Sequence, residues 1–367
     1  MRNEPSTAEW SARYWNWLTE AALPLWSQAG LDRSRGGFQE LLDLDGTPFD
    51  SPRRARVQGR QSFVFAFAGT LGWNGPWAQI APIGLDYLEQ HYRRPDGLYS
   101  TLADPDGVMI DPIAMTYDQA FALLAAAALK EQGRGPGEAY ALTLMTRIAA
   151  LRGHPQGGFV EADGRFLSNP HMHMFEAALA WMQAGQSPVW EKTAGAIVTL
   201  ALRRFIDPER RVLREVFDAD WAPAAGDAGQ VVEPGHQFEW AWLLERWARA
   251  KGDAAAHDAA RALFAAGLRG IDPARRAAVD RTDPDMVTRR ATARLWPQTE
   301  WLKAACILDE TAQTSAAAAS LWRYLDTPKV GLWRDKMRED GTFVEEPVPA
   351  SSLYHIICAV ASLKGLI

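Results

Sequence analysis

Residues 157–184 have the sequence GGFVEADGRFLSNPHMHMFEAALAWMQA, and this stretch contains the unit from which the whole fold is predicted. Its first half begins with two glycines and passes through an Asp-Gly pair, a pattern typical of a short β-hairpin. Its second half begins with an Asn-Pro helix-start signal and continues as an apolar helix. His173 and Glu176 lie three residues apart in that helix, so an imidazole and a carboxylate share one face.

The hairpin half of this unit recurs along the chain at intervals of about 60 residues. A weaker copy covers 211–218. The clear copies cover 36–46, 96–107, 157–164 and 331–341. A period of this size indicates a repeat architecture, and six periods nearly fill the 367 residues.

Two helical patterns lie between successive hairpins, and one is more apolar than the other. The more apolar set is predicted to be internal and covers 57–73, 113–132, 170–186, 235–251, 291–311 and 349–364. The amphipathic set is predicted to form an outer shell and covers 7–29, 76–93, 136–152, 187–206, 254–270 and 313–326. Twelve helices in six pairs predict an all-α fold, an (α/α)6 barrel with short β-hairpin loops at one mouth. No linker or change in composition divides the chain, so we expect a single catalytic domain over 1–367.

Composition narrows the class of protein. Apolar residues make up 47% of the chain and charged residues 23%, which is ordinary for a soluble globular protein. The net charge is −6 and the 39 basic residues are scattered, so no nucleic-acid partner is expected. Cys306 and Cys358 lie in apolar helical runs and are expected to be free thiols. We expect a cytoplasmic protein without a membrane partner, because neither a signal peptide nor a bilayer-spanning run is evident. The 16 tryptophans are compatible with stacking on sugar rings.

Residues able to do chemistry lie near the starts of the predicted inner helices, again about 60 residues apart. In a closed barrel these helix starts surround one mouth, where free N–H groups favour electron-rich oxygens and nascent anions. The fourth inner helix repeats the His-x-x-Glu pattern at His236 and Glu239. We therefore expect one site at the mouth, with substrate contacts that include Gln298. The residues in this register are Arg60, Tyr117, Asp118, His173, His236, Trp296, Gln298 and His355.

The residues alone are compatible with several roles for the repeated His-x-x-Glu pattern. The pairs could be hydrogen bonds that tie helices together, although their equivalent placement favours a site. A metal centre would also use histidines and carboxylates, but paired-helix di-metal bundles carry Glu-x-x-His, so we expect no metal ion. A buried Arg60 could be satisfied by Glu176 or Glu239, which keeps a structural role open for it. His171 would point away from His173 and support the structure.

These segments resemble the N-acylglucosamine 2-epimerase superfamily, most closely its mannose isomerase and sulfoquinovose isomerase branch. The resemblance spans nearly the whole chain in the expected order, through GGFQELLDLDG, RVQGRQSFVFAFA, NPHMHMFEAALAW, EPGHQFEWAWLL, RLWPQTEWLKA and SSLYHI. It implies an (α/α)6 barrel that acts on a monosaccharide and needs no metal or redox cofactor. The family's catalytic histidines match His236 and His355. Its substrate-binding groups match Arg60, His173, Glu176, Glu239, Tyr117 and Trp296.

The activity that this resemblance implies is aldose–ketose isomerisation, between D-mannose and D-fructose and also between D-lyxose and D-xylulose. Histidine titrates near neutrality, so it is suited to moving a proton from C2 to C1 through a cis-enediol(ate). We expect His355 to remove the C2 proton and His236 to protonate the ring oxygen. Arg60 would stabilise the enediolate oxygen. Glu239 would orient His236, and Glu176 would bind hydroxyls or orient the histidine of its own motif.

Three alternatives remain at the level of sequence. Reprotonation of C2 from the opposite face would give a sugar 2-epimerase of the mannose/glucose, cellobiose or N-acylglucosamine type. A glycoside hydrolase would need two carboxyl groups about 5–9.5 Å apart and would leave the histidines unexplained. A noncatalytic sugar-binding protein would turn over nothing. Either a monomer or a homodimer is compatible with the sequence.

Overall fold

The structure is a computed structural model that describes residues 5–367, and its helices form two concentric rings. Each repeat contains an outer helix, a β-hairpin loop and an inner helix, in that order. The outer helices are Thr7–Trp17 with its continuation Leu18–Ala22 and Leu23–Gln28, then Trp77–His91, Glu138–Arg152, Pro188–Leu200 with Ala201–Phe205, Ala254–Arg269 and Thr311–Leu325. The inner helices are Ala55–Thr70, Thr116–Glu131, Ser168–Ala184, Pro234–Lys251, Leu295–Ile307 and Ser352–Leu363.

The inner helices close into a barrel. Each packs against the next along the chain, and the last, Ser352–Leu363, packs against the first, Ala55–Thr70. All twelve residues of Ser352–Leu363 are buried, which fits a helix that has neighbours on every side. The predicted (α/α)6 barrel is confirmed. Among residues 5–367, no helix combines the length and the apolarity needed to cross a membrane.

The six hairpin loops share one turn geometry. In each turn, the N–H of the first residue donates to the carbonyl of the residue four positions later. The carbonyl of the first residue accepts a hydrogen bond from the N–H of the residue three positions later. The first residues of these turns are Asp43, Asp104, Glu161, Asp218, Asp283 and Arg338. The fourth turn residue has a positive φ, and a glycine takes it in four of the six turns. This shared geometry explains the Asp-Gly repeat of the sequence.

The turn of the fifth repeat has no Asp-Gly pair in the sequence, because Met286 occupies the position that glycine takes in four other turns, with a φ of 65°. In the fourth turn the same position holds Trp221, with a φ of 57°. A left-handed backbone is costly for such residues unless packing holds it in place. Trp221 is buried against Phe205 and Phe217, and its indole N–H donates to the Gly157 carbonyl at 3.0 Å. Packing therefore replaces the conformational freedom of glycine there.

Short strands link neighbouring repeats around the mouth. The strand before one inner helix pairs with the hairpin of the following repeat, as in Arg53–Arg54 with Leu102–Ala103. The ring closes where Leu41–Leu42 of the first repeat pairs with Val348–Pro349 of the last. The fifth inner helix begins at Leu295 rather than near 291, because Ala293–Arg294 is one of these linking strands.

A buried side chain in five of the inner helices anchors the loop that precedes it. In four repeats a glutamine accepts the N–H of one loop residue and donates to the carbonyl of that same residue. In the third repeat His171 takes this place and accepts the Phe159 N–H at 2.8 Å, as its predicted supporting role requires. The anchoring glutamines are Gln58, Gln119, Gln237 and Gln298.

Candidate active site

A cavity of about 390 Å³ lies at the mouth of the barrel, where the inner helices begin. Its position follows from the repeat, because equivalent helix starts converge on the barrel axis. Seven of the nine predicted site residues line this cavity: Arg60, Tyr117, His173, His236, Glu239, Trp296 and His355. The other two, Glu176 and Gln298, lie behind its wall.

His236 is paired with a carboxylate from the loop of its own repeat. Its Nδ1 lies 2.9 Å from Glu215 Oε2 and 4.0 Å from Glu233 Oε2. Burial works to lower the pKa of His236, but the two carboxylates outweigh burial and raise the pKa to about 9. At neutral pH this imidazole is therefore protonated and can donate a proton into the cavity.

His355 has the opposite character. Its Nδ1 lies 2.8 Å from Glu300 Oε1, and an ionised Glu300 accepts the Nδ1–H and leaves Nε2 for the cavity. Burial, together with the positive charges of Arg60 and Lys303, holds the pKa of His355 well below its usual value. At neutral pH this imidazole is therefore uncharged and can accept a proton.

The Trp296 indole lies close to both imidazoles. Its ring centre is 5.0 Å from that of His236 and 5.9 Å from that of His355. Two titratable groups whose surroundings push their pKa values apart form an acid and a base. The cavity thus offers an acid, a base and an aromatic surface suited to a sugar ring.

Arg60 points into the cavity with donors to spare. One terminal nitrogen donates to the Tyr117 hydroxyl at 2.7 Å, and the guanidinium lies 4.2 Å from the ring centre of Phe121. No partner for its Nε is found among residues 5–367. The predicted alternative, satisfaction by Glu176 or Glu239, is wrong, because no ion pair between Arg60 and either carboxylate is found in that part of the chain. Arg60 is free to bind an anionic oxygen.

The carboxylates of the two His-x-x-Glu motifs both lie next to His173. Its Nδ1 is 3.6 Å from Glu176 Oε2 and 3.9 Å from Glu239 Oε1, and Tyr354 donates its hydroxyl to Glu176. The prediction that Glu239 orients His236 is wrong, because His236 Nδ1 faces the loop while Glu239 turns toward the third inner helix. Burial lowers the pKa of His173 to about 3, so this imidazole is neutral.

Among residues 5–367, two groups of buried side chains have ligand-type atoms within 4.8 Å of one another. They are His173 with Glu176 and Glu239, and Glu239 with Glu300 and His355. Such sets are suitable for a divalent ion. The ammonium group of Lys303 places a positive charge next to this cluster, since Lys303 Nζ lies 2.7 Å from Glu300 Oε2.

Comparison with known proteins identifies the group to which this chain belongs. Residues 36–359 match the model of the N-acylglucosamine 2-epimerase (GlcNAc 2-epimerase) family. The chain belongs to the N-acylglucosamine 2-epimerase family. It is 47% identical to a mannose-6-phosphate isomerase of Rhizobium meliloti (strain 1021), over 95% of both chains. Members of this family and its relatives are sugar isomerases and epimerases, so the protein is an enzyme of that kind.

Solved structures show the same fold. A D-mannose isomerase crystal structure superposes with a TM-score of 0.89 and 20% identity over all of both chains. The cellobiose 2-epimerase of Bacillus thermoamylovorans B4167 superposes with a TM-score of 0.84 and 16% identity, over 97% of this chain and 99% of that one. These likenesses support the family's barrel architecture.

In this protein Gln298 does not line the cavity. The prediction that Gln298 binds the substrate is therefore wrong. It is fully buried, and its amide bonds both the N–H and the carbonyl of Ala278. It lies two residues after Trp296 in a helix, so its side chain points to a different face. Gln298 belongs instead to the set of glutamines that anchor the loops.

Replacing Gln298 with leucine is expected to lower the free energy of unfolding by about 2–4 kcal/mol, because two buried backbone groups of Ala278 lose their partners. KM for the sugar should change little. Urea denaturation and steady-state kinetics measure the two effects. Gln156→Leu, at an exposed site, is the matched control and should cost under about 0.5 kcal/mol. A large rise in KM with unchanged stability would return Gln298 to the binding site.

Sequence reasoning missed the carboxylates that line the loops around the mouth. Each stands at an equivalent place in its repeat. In the first five repeats this place lies two residues after the loop residue that the inner helix anchors, and Thr101 occupies it in the second repeat. In the first, third and fifth repeats the acid accepts backbone N–H groups at the start of an inner helix. In the fourth repeat Glu215 binds His236 instead. The acids of this ring are Glu40, Glu161, Glu215, Asp280 and Asp335. The repeat register could have revealed them.

Proposed function

We propose that this enzyme is an aldose–ketose isomerase that interconverts D-mannose and D-fructose, with D-lyxose and D-xylulose as a second pair. The observation that carries the proposal is the pair of imidazoles, His236 protonated and His355 neutral, that line one cavity next to Trp296. Isomerisation needs one group to protonate a ring oxygen and another to accept a carbon-bound proton. The two histidines match these requirements.

In the proposed reaction His236 donates a proton to the ring oxygen, the bond between C1 and the ring oxygen breaks, and the C1 hydroxyl gives its proton to the same imidazole, so the open-chain aldehyde forms and His236 is protonated again. His355 Nε2 then removes the proton from C2 and returns it to C1 on the same face, through a cis-enediolate, while the proton of the C2 hydroxyl passes to the C1 oxygen. Arg60 and Tyr117 bind the oxygen on which negative charge develops. Glu300 accepts the Nδ1–H of His355 and stabilises the imidazolium while it holds the transferred proton.

We further propose that the substrate is an uncharged sugar. Apart from Arg60, the arginine and lysine side chains that line the cavity are already paired: Arg54 with Glu40, Arg294 with Asp280, and Lys336 with Glu346. Two further carboxyl groups, of Glu233 and Asp335, also line the cavity. A phosphate brought into this cavity would meet carboxylates at close range, which is unfavourable.

The test compares D-mannose with D-mannose 6-phosphate on chelator-treated protein, with products followed by NMR. We expect kcat/KM for D-mannose to exceed that for the phosphate ester by at least about 100-fold, because like charges placed close together cost several kcal/mol. Preference for the ester would overturn the uncharged-substrate proposal and leave isomerisation standing. Loss of turnover on chelation alone would show that the carboxylate cluster holds a metal ion.

A second candidate function is 2-epimerisation, and the charge of His236 favours it. A protonated His236 could return a proton to C2 from the face opposite to His355 and yield the epimer. The products separate the two functions, since D-mannose gives D-fructose in one case and D-glucose in the other. A glycoside hydrolase leaves unexplained why each of these histidines is paired with a carboxylate of its own.

A further inference from the structure

Lys303 is connected to the base of the proposed reaction through one side chain. It lies in the fifth inner helix and is fully buried, as is Glu300 one turn earlier. Lys303 Nζ lies 2.7 Å from Glu300 Oε2, and His355 Nδ1 lies 2.8 Å from Glu300 Oε1. The ammonium also lies 3.8 Å from the ring centre of Trp242. An unbroken chain of contacts thus runs from the barrel interior to the cavity.

Stability alone does not account for a buried ion pair in this place. Removing an ammonium and a carboxylate from water is costly, and an apolar pair of similar volume is often equally stable. A buried charge next to a histidine does, however, control where protons reside. The Lys303–Glu300 pair therefore calls for a chemical role.

Counting protons shows what the ammonium does. With Lys303 charged, the trio is electrically neutral when Glu300 is ionised and His355 carries one proton, on Nδ1. Without the ammonium, the Glu300–His355 pair is a buried net negative charge and takes up a proton. The proton gives either an imidazolium with a carboxylate or an Nε2–H imidazole with a carboxylic acid. In both forms Nε2 carries a proton and cannot act as a base.

We propose that Lys303 is a positioning residue that keeps Nε2 of His355 free, because its ammonium holds Glu300 ionised and so holds the histidine proton on Nδ1. This inference rests on the proposed role of His355 as the base. Lys303 itself does not touch the sugar, since it is fully buried behind Glu300.

Other titratable and charged groups face the trio from the remaining elements and contribute to the electrostatic potential there. With these groups in place, the pKa of His355 remains well below its usual value. The pKa of Lys303 lies above its usual value, because the charges of Glu300 and Glu239 outweigh the effect of burial. The groups are Arg60 of the first inner helix, Glu176 of the third, His236 and Glu239 of the fourth, and Cys358 of the sixth.

Lys303→Met is expected to lower kcat at pH 7 by at least about 10-fold. The acid limb of the pH profile, which is the pH range below which kcat falls, should lie about one to three pH units higher than in the wild type. Activity should therefore recover as the pH rises. A role in packing alone would lower kcat equally at every pH. Circular dichroism establishes that the variant is folded.

The double variant Glu300→Gln/Lys303→Met separates charge from packing. Its amide oxygen still accepts the Nδ1–H of His355, and no buried charge remains to attract a proton. We expect the acid limb to move back toward the wild-type position, although the core is altered more than in the single variant. This variant also carries no orphaned charge, so it remains testable where Lys303→Met fails to fold.

Nitrogen NMR of histidine-labelled protein without sugar gives a readout that is independent of turnover. Wild-type His355 should show the Nδ1–H tautomer at pH 7, and Lys303→Met should show a proton on Nε2. If no sugar is turned over but this change occurs, the proposed function fails and the inference about Lys303 stands. An unchanged tautomer in Lys303→Met, or a double variant with an acid limb as high as that of the single one, would overturn the inference.

Discussion

Replacing His355 with glutamine is expected to lower kcat at least about 1000-fold, with a much smaller effect on KM. General acid–base catalysis by one positioned side chain contributes about 10²–10⁴-fold, and in the proposed reaction His355 both removes and returns the proton. Glutamine keeps a polar side chain beside Glu300 but cannot accept a carbon-bound proton. Steady-state kinetics with D-mannose measure the effect.

His257→Gln is the matched control for this substitution. His257 also pairs its Nδ1 with a glutamate, Glu245 at 2.7 Å, but it lies on an outer helix away from the cavity. Turnover of His257→Gln should stay within about 3-fold of the wild type, because surface substitutions away from special features have small effects. A His355→Gln enzyme that retains near wild-type turnover would remove His355 from the role of base.

The second large effect is expected from Glu215→Gln, which acts through the pKa of His236. Glu215 and Glu233 raise this pKa to about 9, so the acid should remain protonated, and the enzyme active, up to that pH. Loss of the Glu215 charge leaves burial to lower the pKa, by about one to three units. The alkaline limb of the pH profile should therefore move to lower pH, and the rate at pH 8 should fall about 10-fold or more. At pH 6 the two enzymes should differ least.

The control for this prediction is Glu161→Gln, in the equivalent position of the third repeat. Glu161 accepts the N–H groups of Thr116 and Tyr117 and contacts no histidine, so its loss should reduce stability without moving the alkaline limb. An alkaline limb that is the same in Glu215→Gln and in the wild type would show that His236 is not the group that titrates there.

The barrel could be predicted from the sequence because one position of each hairpin turn has a positive φ, which glycine adopts most readily. The positive φ at Gly46, Gly107, Gly164 and Gly341 makes the period visible as a repeated Asp-Gly pair. The same period places the starts of the inner helices around one mouth. The fifth turn was missed because the backbone of Met286 is maintained by the fold and leaves no signal in the sequence.

The pairing of side chains within the site could be predicted only in part. Arg60, His173, His236 and His355 share a register, and the structure places all of them at the cavity. Their partners depend on how each side chain turns and on neighbouring repeats. Glu300 reaches His355 from another inner helix, and a spacing rule within one helix cannot find such a contact.

The same limit explains the wrong predictions. Three-residue spacing places Glu239 on the face of His236, yet the His236 ring turns to the loop and binds Glu215. Gln298 follows Trp296 by two residues and so points into the core. The role of Gln298 could have been predicted by comparing equivalent positions of the repeats, because Gln298 aligns with the loop-anchoring Gln58 and Gln237. Spacing within its own helix does not reveal this role.

Turnover of D-mannose in D2O tests the central proposal most directly, because the position of the label records where the abstracted proton goes. Transfer by His355 from C2 to C1, with partial exchange against solvent, predicts D-fructose with deuterium at C1. Deuterium at C2 of D-glucose would instead show that a proton returned to C2 from the opposite face. D-mannose recovered without product or label, from folded protein, would contradict the assignment of His355 and His236 as the base and the acid of a sugar isomerase.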